Sequence, residues 1–396
     1  MNKLKTKDQK IEDVLTRGVE KVIKKDSLVE KLNSGKKLRV KHGIDPTTKD
    51  LHLGYSTVYL KLKELQEMGH QIIFLIGDFT GRFGDPTEKI EARKLRDAKE
   101  VRNLAKNYLK QVGKILDLKK TEIRYNSEWY GKMKADELLL LMSNFTTARM
   151  LERDMFQERI KKGIETGLHE PVYPVLQAYD SVMLKSDLTV CGTDQLFNEL
   201  KARELQQKFD QPGQEIIATK LLIGTDGKQK MSQSLGNYIG FEDSPNEQFG
   251  KIMSIPDNLI FEYFELITRV PLIEIGKLRK LKTNPKNLKS RLAKEIIKIY
   301  HGEKEAEKAE KEFNKVFRNK ELPSDIPEIK IENQELNILD LLLKTKLVAS
   351  KAEARRLVEQ GAVKIDSKII KDWQTKIETR PGRVLQIGKR RFAKIK

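Results

Sequence analysis

A single cysteine, Cys191, occurs in 396 residues, so no internal disulfide can form, and no Cys/His cluster has zinc spacing. The expectation is a reducing, cytoplasmic setting and no structural metal. Long apolar runs are missing as well. The densest, Ile72-Ile73-Phe74-Leu75-Ile76, is far too short to span a bilayer, which argues against a membrane protein. Met1 to Lys10 are polar and lack the apolar centre of a signal peptide. Neither an internal repeat nor a low-complexity tract is found, which removes solenoids and fibrous arrays.

What is abundant is positive charge: 77 basic against 58 acidic residues leave +19, a surplus that favours a polyanionic partner, nucleic acid first. Free use of lysine on solvated faces is the plainer reading of the same surplus. The length exceeds what one core normally holds, so several domains are expected.

Leu38-Arg39-Val40 reads as a strand and 43–50 as a turn. A helical pattern then runs from Leu53 through Val58, Leu62 and Leu65 to Met68, stopping at Gly69 before a second strand at 71–76. Strand, helix and strand at this spacing form a parallel βαβ unit, and such sheets bind ligands beyond the carboxyl ends of their strands. That rim holds 42–47 and 78–85. Helices are predicted over 148–162 and 172–182, a short strand over 188–190, and a lysine-rich helical region over 246–317. Pro323 and Pro327, with polar residues around them, mark a linker. Beyond it, 331–396 carries 16 basic and 8 acidic residues. There Ser350-Lys351-Ala352-Glu353 predicts a capping box, with Ala354, Leu357 and Val358 on one helix face, Arg355 and Arg356 on the other and Gly361 at the stop. Strands are predicted at 362–365, 369–373, 384–387 and 391–395.

Two distant segments carry the first chemical signal. Asp45-Pro46-Thr47-Thr48-Lys49-Asp50-Leu51-His52-Leu53-Gly54 lies where a strand gives way to a helix, a place where backbone N–H groups and the helix dipole hold anions. Turn chemistry alone would also select Pro46, Thr47 and Asp50. Lys230-Met231-Ser232-Gln233-Ser234 lies between Gly227 and Gly236, a loop suited to bring a cation to a leaving pyrophosphate. A third set, Tyr173, Gln177 and Asp180, falls at i, i+4 and i+7, so a helix presents a phenol, an amide and a carboxylate on one face. Gly192-Thr193-Asp194-Gln195 follows a strand, and Asp194 there is placed to accept from ribose hydroxyls, although a plain turn would also use these residues.

Taken in order, His52-Leu53-Gly54-Tyr55, Gly77-Asp78-Phe79-Thr80-Gly81, Gly84-Asp85-Pro86-Thr87, 173–180, 192–195 and 230–234 resemble the bacterial tyrosyl-tRNA synthetases, class I aminoacyl-tRNA synthetases. The basic tail resembles the small RNA-binding domain those enzymes carry. The resemblance implies an α/β fold: a Rossmann-like parallel-sheet catalytic domain (1–227), a helical anticodon-binding domain opening on the KMSKS-type loop (228–322), a linker (323–334) and a small α/β RNA-binding domain (335–396). It implies that tyrosine is activated with ATP, magnesium riding on the phosphates, and passed to the 3′ end of tRNA-Tyr by a cytoplasmic homodimer whose subunit contact lies near 148–159. Tryptophan–tRNA ligase and a non-catalytic RNA-binding protein of synthetase fold are the alternatives.

His52 and Gly54 match the HIGH signature and Lys230 the first lysine of KMSKS, which gives His52 and Lys230 catalytic roles. Asp45, Thr47, His52, Gly54, Gly192, Asp194 and Lys230 match ATP-binding positions. Asp85, Tyr173, Gln177, Asp180 and Gln195 match substrate positions, Asp180 being the carboxylate that meets the phenol. Lys351, Arg355, Arg356, Lys389, Arg390 and Arg391 are the RNA-binding candidates of the tail. Three residues depart from the pattern. Tyr55 replaces the second histidine and Gln233 the second lysine, each removing a phosphate donor. Lys41 stands where one branch has a pocket tyrosine.

Overall fold

Apolar, β-branched stretches build one six-stranded sheet in the computed structural model, which describes residues 6–85, 96–281, 283–317, 321–322, 326–332, 334–388 and 391–396. Its strands are β1 (Val19–Ile23), β2 (Arg39–Ile44), β3 (Gln71–Ile76), β4 (Thr121–Tyr125), β5 (Leu188–Gly192) and β6 (Glu215–Thr219), in the order β1-β6-β5-β2-β3-β4. All neighbours are parallel except β1 and β6. Both faces of β3 are covered, which explains why Ile72 to Ile76 read as an unbroken apolar run.

The chain path reverses between β2 and β5, the position at which an open parallel sheet receives ligands. These two strands pair only at Val40–Leu188 and Lys41–Thr189. Beyond that point His42 Nδ1 spans the widening gap to the Val190 carbonyl at 3.0 Å. β2 continues past the expected three residues to Ile44, because β3 offers a full ladder as far as Ile76.

The helix predicted from Leu53 opens as a single 3₁₀ turn, Leu53–Tyr55, and continues as Ser56–Glu67. The 148–162 helix is corrected: it is two short helices, Thr147–Met150 and Asp154–Lys161, broken by Arg153 in extended backbone. The break turns the Arg153 guanidinium inward, 3.8 Å from Asp85 and 5.4 Å from the centre of the Phe197 ring. After Gly240, the helices Pro245–Met253, Ile260–Ile267, Leu272–Lys280, Pro285–His301 and Glu303–Phe317 follow, the first opened by a Ser244–Glu247 capping box with Pro245 in its first turn. Among the described residues no helix is long and apolar enough to cross a membrane.

The chain divides into two compact units, 1–307 and 308–396. In the second, β7 (Glu328–Ile329), β8 (Glu335–Asn337), β9 (Val363–Ile365), β10 (Lys368–Ile370), β11 (Lys376–Glu378), β12 (Val384–Ile387) and β13 (Arg391–Ile395) form sheets ordered β10-β9-β12-β13-β7 and β11-β8. Helices Ile338–Lys344 and Lys351–Glu359 pack Leu341, Leu342, Ala354 and Val358 against Leu385 and Ile395. The strand expected over 369–373 is shorter and starts earlier, because its hairpin with β9 ends at Ile370. The capping box is half as expected. Ser350 accepts from Glu353 N at 3.2 Å, but the Glu353 carboxylate reaches Ala349 N, one residue further back.

Candidate active site

The carboxyl ends of β2, β3 and β5 open into a cavity of about 730 Å³. Asp45, Thr47, His52, Gly54, Asp85, Tyr173, Gln177, Asp180, Gly192, Asp194, Gln195 and Lys230 all line it. Every ATP- and substrate-site residue expected from the sequence is therefore brought to one place.

On the β2 side, the Asp45 carboxylate accepts from Thr80 Oγ1 at 2.8 Å and from the Tyr173 hydroxyl at 2.9 Å. Gly77 is required beneath it, since a Cβ there would lie 1.9 Å from Asp45 Oδ1 and 2.4 Å from Thr80 Oγ1. His52 caps the 3₁₀ turn, its Nδ1 accepting from Gly54 N at 3.2 Å. That bond leaves the proton of the neutral ring on Nε2, as a donor. A Cβ on Gly54 would strike the same ring at 2.8 Å, so the glycine also makes room for His52. Tyr55 packs its ring 4.6 Å from that of His52. Burial lowers the imidazole of His42, which also lines the cavity, to about 4, so it is neutral at physiological pH.

Opposite, Lys230 meets Asp194 at 3.0 Å. Its loop is a tight hairpin: Gly224 N donates to Gln229 O at 2.8 Å and Met231 N to Leu222 O at 2.7 Å. Asn237 clamps the loop, its Oδ1 accepting from Ser232 N at 2.8 Å and its Nδ2 donating to Lys230 O at 3.1 Å and Asp226 Oδ2 at 3.1 Å. Gln233 donates to the Asp50 carbonyl, tying loop to turn. The two segments are also joined by backbone. Leu53 N donates to Ile239 O at 2.9 Å and Phe241 N to Leu51 O at 2.9 Å, and Ser56 Oγ bonds the Tyr300 hydroxyl of a later helix.

The inner end of the cavity is built on the helix Tyr173–Leu184. Asp180 accepts from Trp129 Nε1 at 3.0 Å and from Asn126 Nδ2 at 3.4 Å. Burial raises its carboxyl to about 7, against the opposing pull of Lys41 and of these donors. Burial, with Asp45 and Asp85 adding to it, holds the Tyr173 phenol well above its usual range, fixing it as a protonated donor. Lys41, charged and 1% exposed in the middle of β2, pairs with Glu199 at 2.9 Å. For Glu199 burial pushes the carboxyl up, but the charge and hydrogen bonds of Lys41, with the hydrogen bonds of Gln177 and Gln214, together outweigh it and hold it below the usual range. Glu199, Asn198, Trp129 and Asn126 were not found by sequence reasoning. Lys41 was the signal available for Glu199, because a lysine in a buried strand demands a counter-ion.

In the 308–396 unit, Lys351, Arg355 and Arg356 share the helix Lys351–Glu359. Lys351 pairs with Asp340 at 2.6 Å, and Arg355 pairs with Glu359 at 2.9 Å while lying 4.4 Å from the centre of the Trp373 ring. Arg391 joins this helix through Glu353 at 2.9 Å. Lys389 and Arg390, like Pro86 and Thr87, lie outside the described residues.

Residues 33–318 match a family described as tRNA synthetases class I (W and Y), and 319–393 match the Tyrosine–tRNA ligase SYY-like C-terminal domain. The tyrosine–tRNA ligase of Thermotoga maritima is 46% identical over 386 residues, covering 96% of each chain. That of Francisella tularensis is 46% identical, covering 97% of each. Among solved structures, Archaeoglobus fulgidus tyrosyl-tRNA synthetase complexed with L-tyrosine superposes with a TM-score of 0.61 at 24% identity, over 77% of this chain and all of that one. A C-terminally truncated mitochondrial tyrosyl-tRNA synthetase from Aspergillus nidulans gives 0.64 at 22% identity, over 80% and 95%. At such identities these two likenesses speak to fold.

Proposed function

The chain belongs to the class I tRNA synthetases and acts as a tyrosine–tRNA ligase, and from that premise we propose how its residues share the work. The tyrosine carboxylate attacks the α-phosphorus of ATP. An oxygen–phosphorus bond forms, the bond to the β-phosphate oxygen breaks, and pyrophosphate leaves. No protein nucleophile takes part, so the protein contributes alignment and charge stabilisation. Nε2 of His52 and the Lys230 ammonium stabilise the charge that grows on the phosphates. Asp85, Tyr173, Gln177 and Gln195 hold the amino-acid end of tyrosine, and Asp180 meets its hydroxyl. Phenylalanine would withhold the hydroxyl from that buried group, an effect whose reference case is the tyrosyl family itself. Asp45, Thr47, Gly54, Gly192 and Asp194 seat the nucleotide. In the second step a ribose hydroxyl at the tRNA 3′ end takes the tyrosyl group.

The observation that carries this reading is the single cavity at the β2/β5 reversal into which all these side chains converge. Magnesium is proposed to arrive on the triphosphate; among the described residues no group of three His, Cys, Asp or Glu side chains is set to hold a metal. The segment 228–322 is proposed to read the anticodon and the basic 335–396 segment to grip tRNA. A cytoplasmic homodimer completes the proposal. The exposed Leu139, Leu140, Ile160 and Leu168, close in sequence to 148–159, support a subunit contact there.

Amino-acid-dependent exchange of pyrophosphate into ATP tests the reading. Exchange is expected with tyrosine and not with tryptophan or phenylalanine. Exchange on tryptophan would reassign the substrate, and tRNA binding without exchange would reassign the protein to a purely RNA-binding role.

A further inference from the structure

Lys41 has no donor left for a substrate. Its three ammonium N–H groups are matched by Ser181 Oγ at 2.7 Å and by Glu199 Oε1 and Oε2 at 3.1 and 2.9 Å. Glu199 in turn accepts from Gln177 Nε2 at 2.8 Å and from Gln214 Nε2 at 2.8 Å. The Gln177 carbonyl accepts from Asn198 Nδ2 at 2.8 Å, and the same Nδ2 stands 3.1 Å from the Gln195 carbonyl. Gln195 Nε2 then donates to Asp85 Oδ2 at 2.7 Å. One hydrogen-bonded chain thus runs from the phenol end of the cavity to its amino-acid end.

Both ends of the chain dictate the same orientation. A carboxylate only accepts, so Glu199 forces the amide nitrogen of Gln177 toward itself, and Asp85 does the same to Gln195. Each glutamine must then turn its carbonyl to Asn198, whose NH₂ group supplies one donor to each. Asn198 is fully buried, and its own Oδ1 has no hydrogen-bond partner. Turning that amide round would set Oδ1 against two carbonyls and leave both without their donor, so the orphaned oxygen is the smaller cost.

We propose that Asn198 is a positioning residue for the zwitterion of the amino acid: it fixes Gln177 so that the second lone pair of its carbonyl faces the substrate ammonium, and Gln195 so that its remaining N–H faces the substrate carboxylate. Lys41 is a positioning residue one step further back, anchoring Glu199, and does not contact the phenol. This rests on the tyrosine reading of the cavity.

The test is Asn198→Asp, with Asn198→Ala beside it, read by KM in pyrophosphate exchange. Competition by tyramine, which lacks the carboxylate, and by 3-(4-hydroxyphenyl)propionate, which lacks the ammonium, supplies the second readout. Asn198→Asp should raise KM for tyrosine by about tenfold or more, since it sets an acceptor against two carbonyls. KM for ATP should hold, and each analogue, having only one of the two contacts to lose, should weaken less than tyrosine. Lowering the pH should partly restore the Asp variant, whose new carboxyl becomes a donor once protonated, and should not restore the Ala variant. Equal weakening of all three ligands, a parallel rise in KM for ATP, or an unchanged KM for tyrosine would each overturn the proposal. Failure of the wild-type protein to exchange with tyrosine would instead overturn the reading beneath it, and is seen before any variant is made.

Discussion

On the proposed assignment Lys230 faces a choice of partner at every turnover, because the carboxylate that now holds it, Asp194 at 3.0 Å, would share it with the triphosphate. Lys230→Ala is therefore expected to slow adenylate formation by about 10²–10³-fold, the usual cost of losing one preorganised charge stabiliser. Tyrosine affinity should stay close to wild type, and single-turnover rapid quench separates the two. Asp180 makes a pH prediction. Its carboxyl is raised from 3.8 to about 7, so it takes up a proton on folding between those values. Its contribution to stability is full below pH 4 and is lost as the pH climbs through 7. For recognition, on the proposed assignment, the sign runs the other way: losing the substrate hydroxyl costs an ionised buried carboxylate more than a neutral one. The tyrosine-to-phenylalanine ratio of kcat/KM should fall as the pH is lowered from 8 to 6, and a flat ratio would remove Asp180 from the discrimination. At this scale the sequence was readable where side chains share one local element, as Tyr173, Gln177 and Asp180 do. It was not readable where the partner is remote: Lys41 in a buried strand calls for a counter-ion, but nothing beside it picks out Glu199, 158 positions away.

Among the elements, the 230–234 loop depends on one side chain outside it. Asn237 holds the backbone of Ser232 and Lys230 together with the side chain of Asp226, so Asn237→Ala should leave a looser loop. The expected outcome is faster tryptic cleavage at Lys228 and Lys230 and a kcat lower by about tenfold, as for a misplaced charge stabiliser, with KM for tyrosine unchanged. Unaltered cleavage would show that the hairpin is self-sufficient. Tyr55 and Gln233 have found other employment here, one packed on the His52 ring and the other bonded to the Asp50 carbonyl. β2, β3, β5 and the crossover helix were legible because apolar runs and period announce them. β1, β4 and β6 were not read, and neither were the two-residue β7 and the pair β8 and β11. Such short strands exist only through partners far along the chain, Leu336 opposite Ile377 for example, and carry no periodic signature of their own. The break at Arg153 escaped for a related reason, since the contacts that pull it inward come from Asp85 and Phe197.

For the whole molecule, the 308–396 unit has its own core, and a chain ending at residue 317 is expected to keep tyrosine-dependent exchange while losing most of its hold on tRNA. The affinity of the full chain for tRNA should fall steeply between about 50 and 200 mM salt as phosphate counterions are released. Affinity that ignores salt would mean that the +19 charge serves solubility and not binding. The pairing of Leu51 and Leu53 with Phe241 and Ile239 has one more effect, on timing. During synthesis His52 leaves the ribosome long before the strip that fastens its neighbours has been made. An incomplete chain, however well its first strands have folded, holds half of the proposed nucleotide seat, and on that assignment the ability to spend ATP arrives only once the later stretch has been translated and zipped into place.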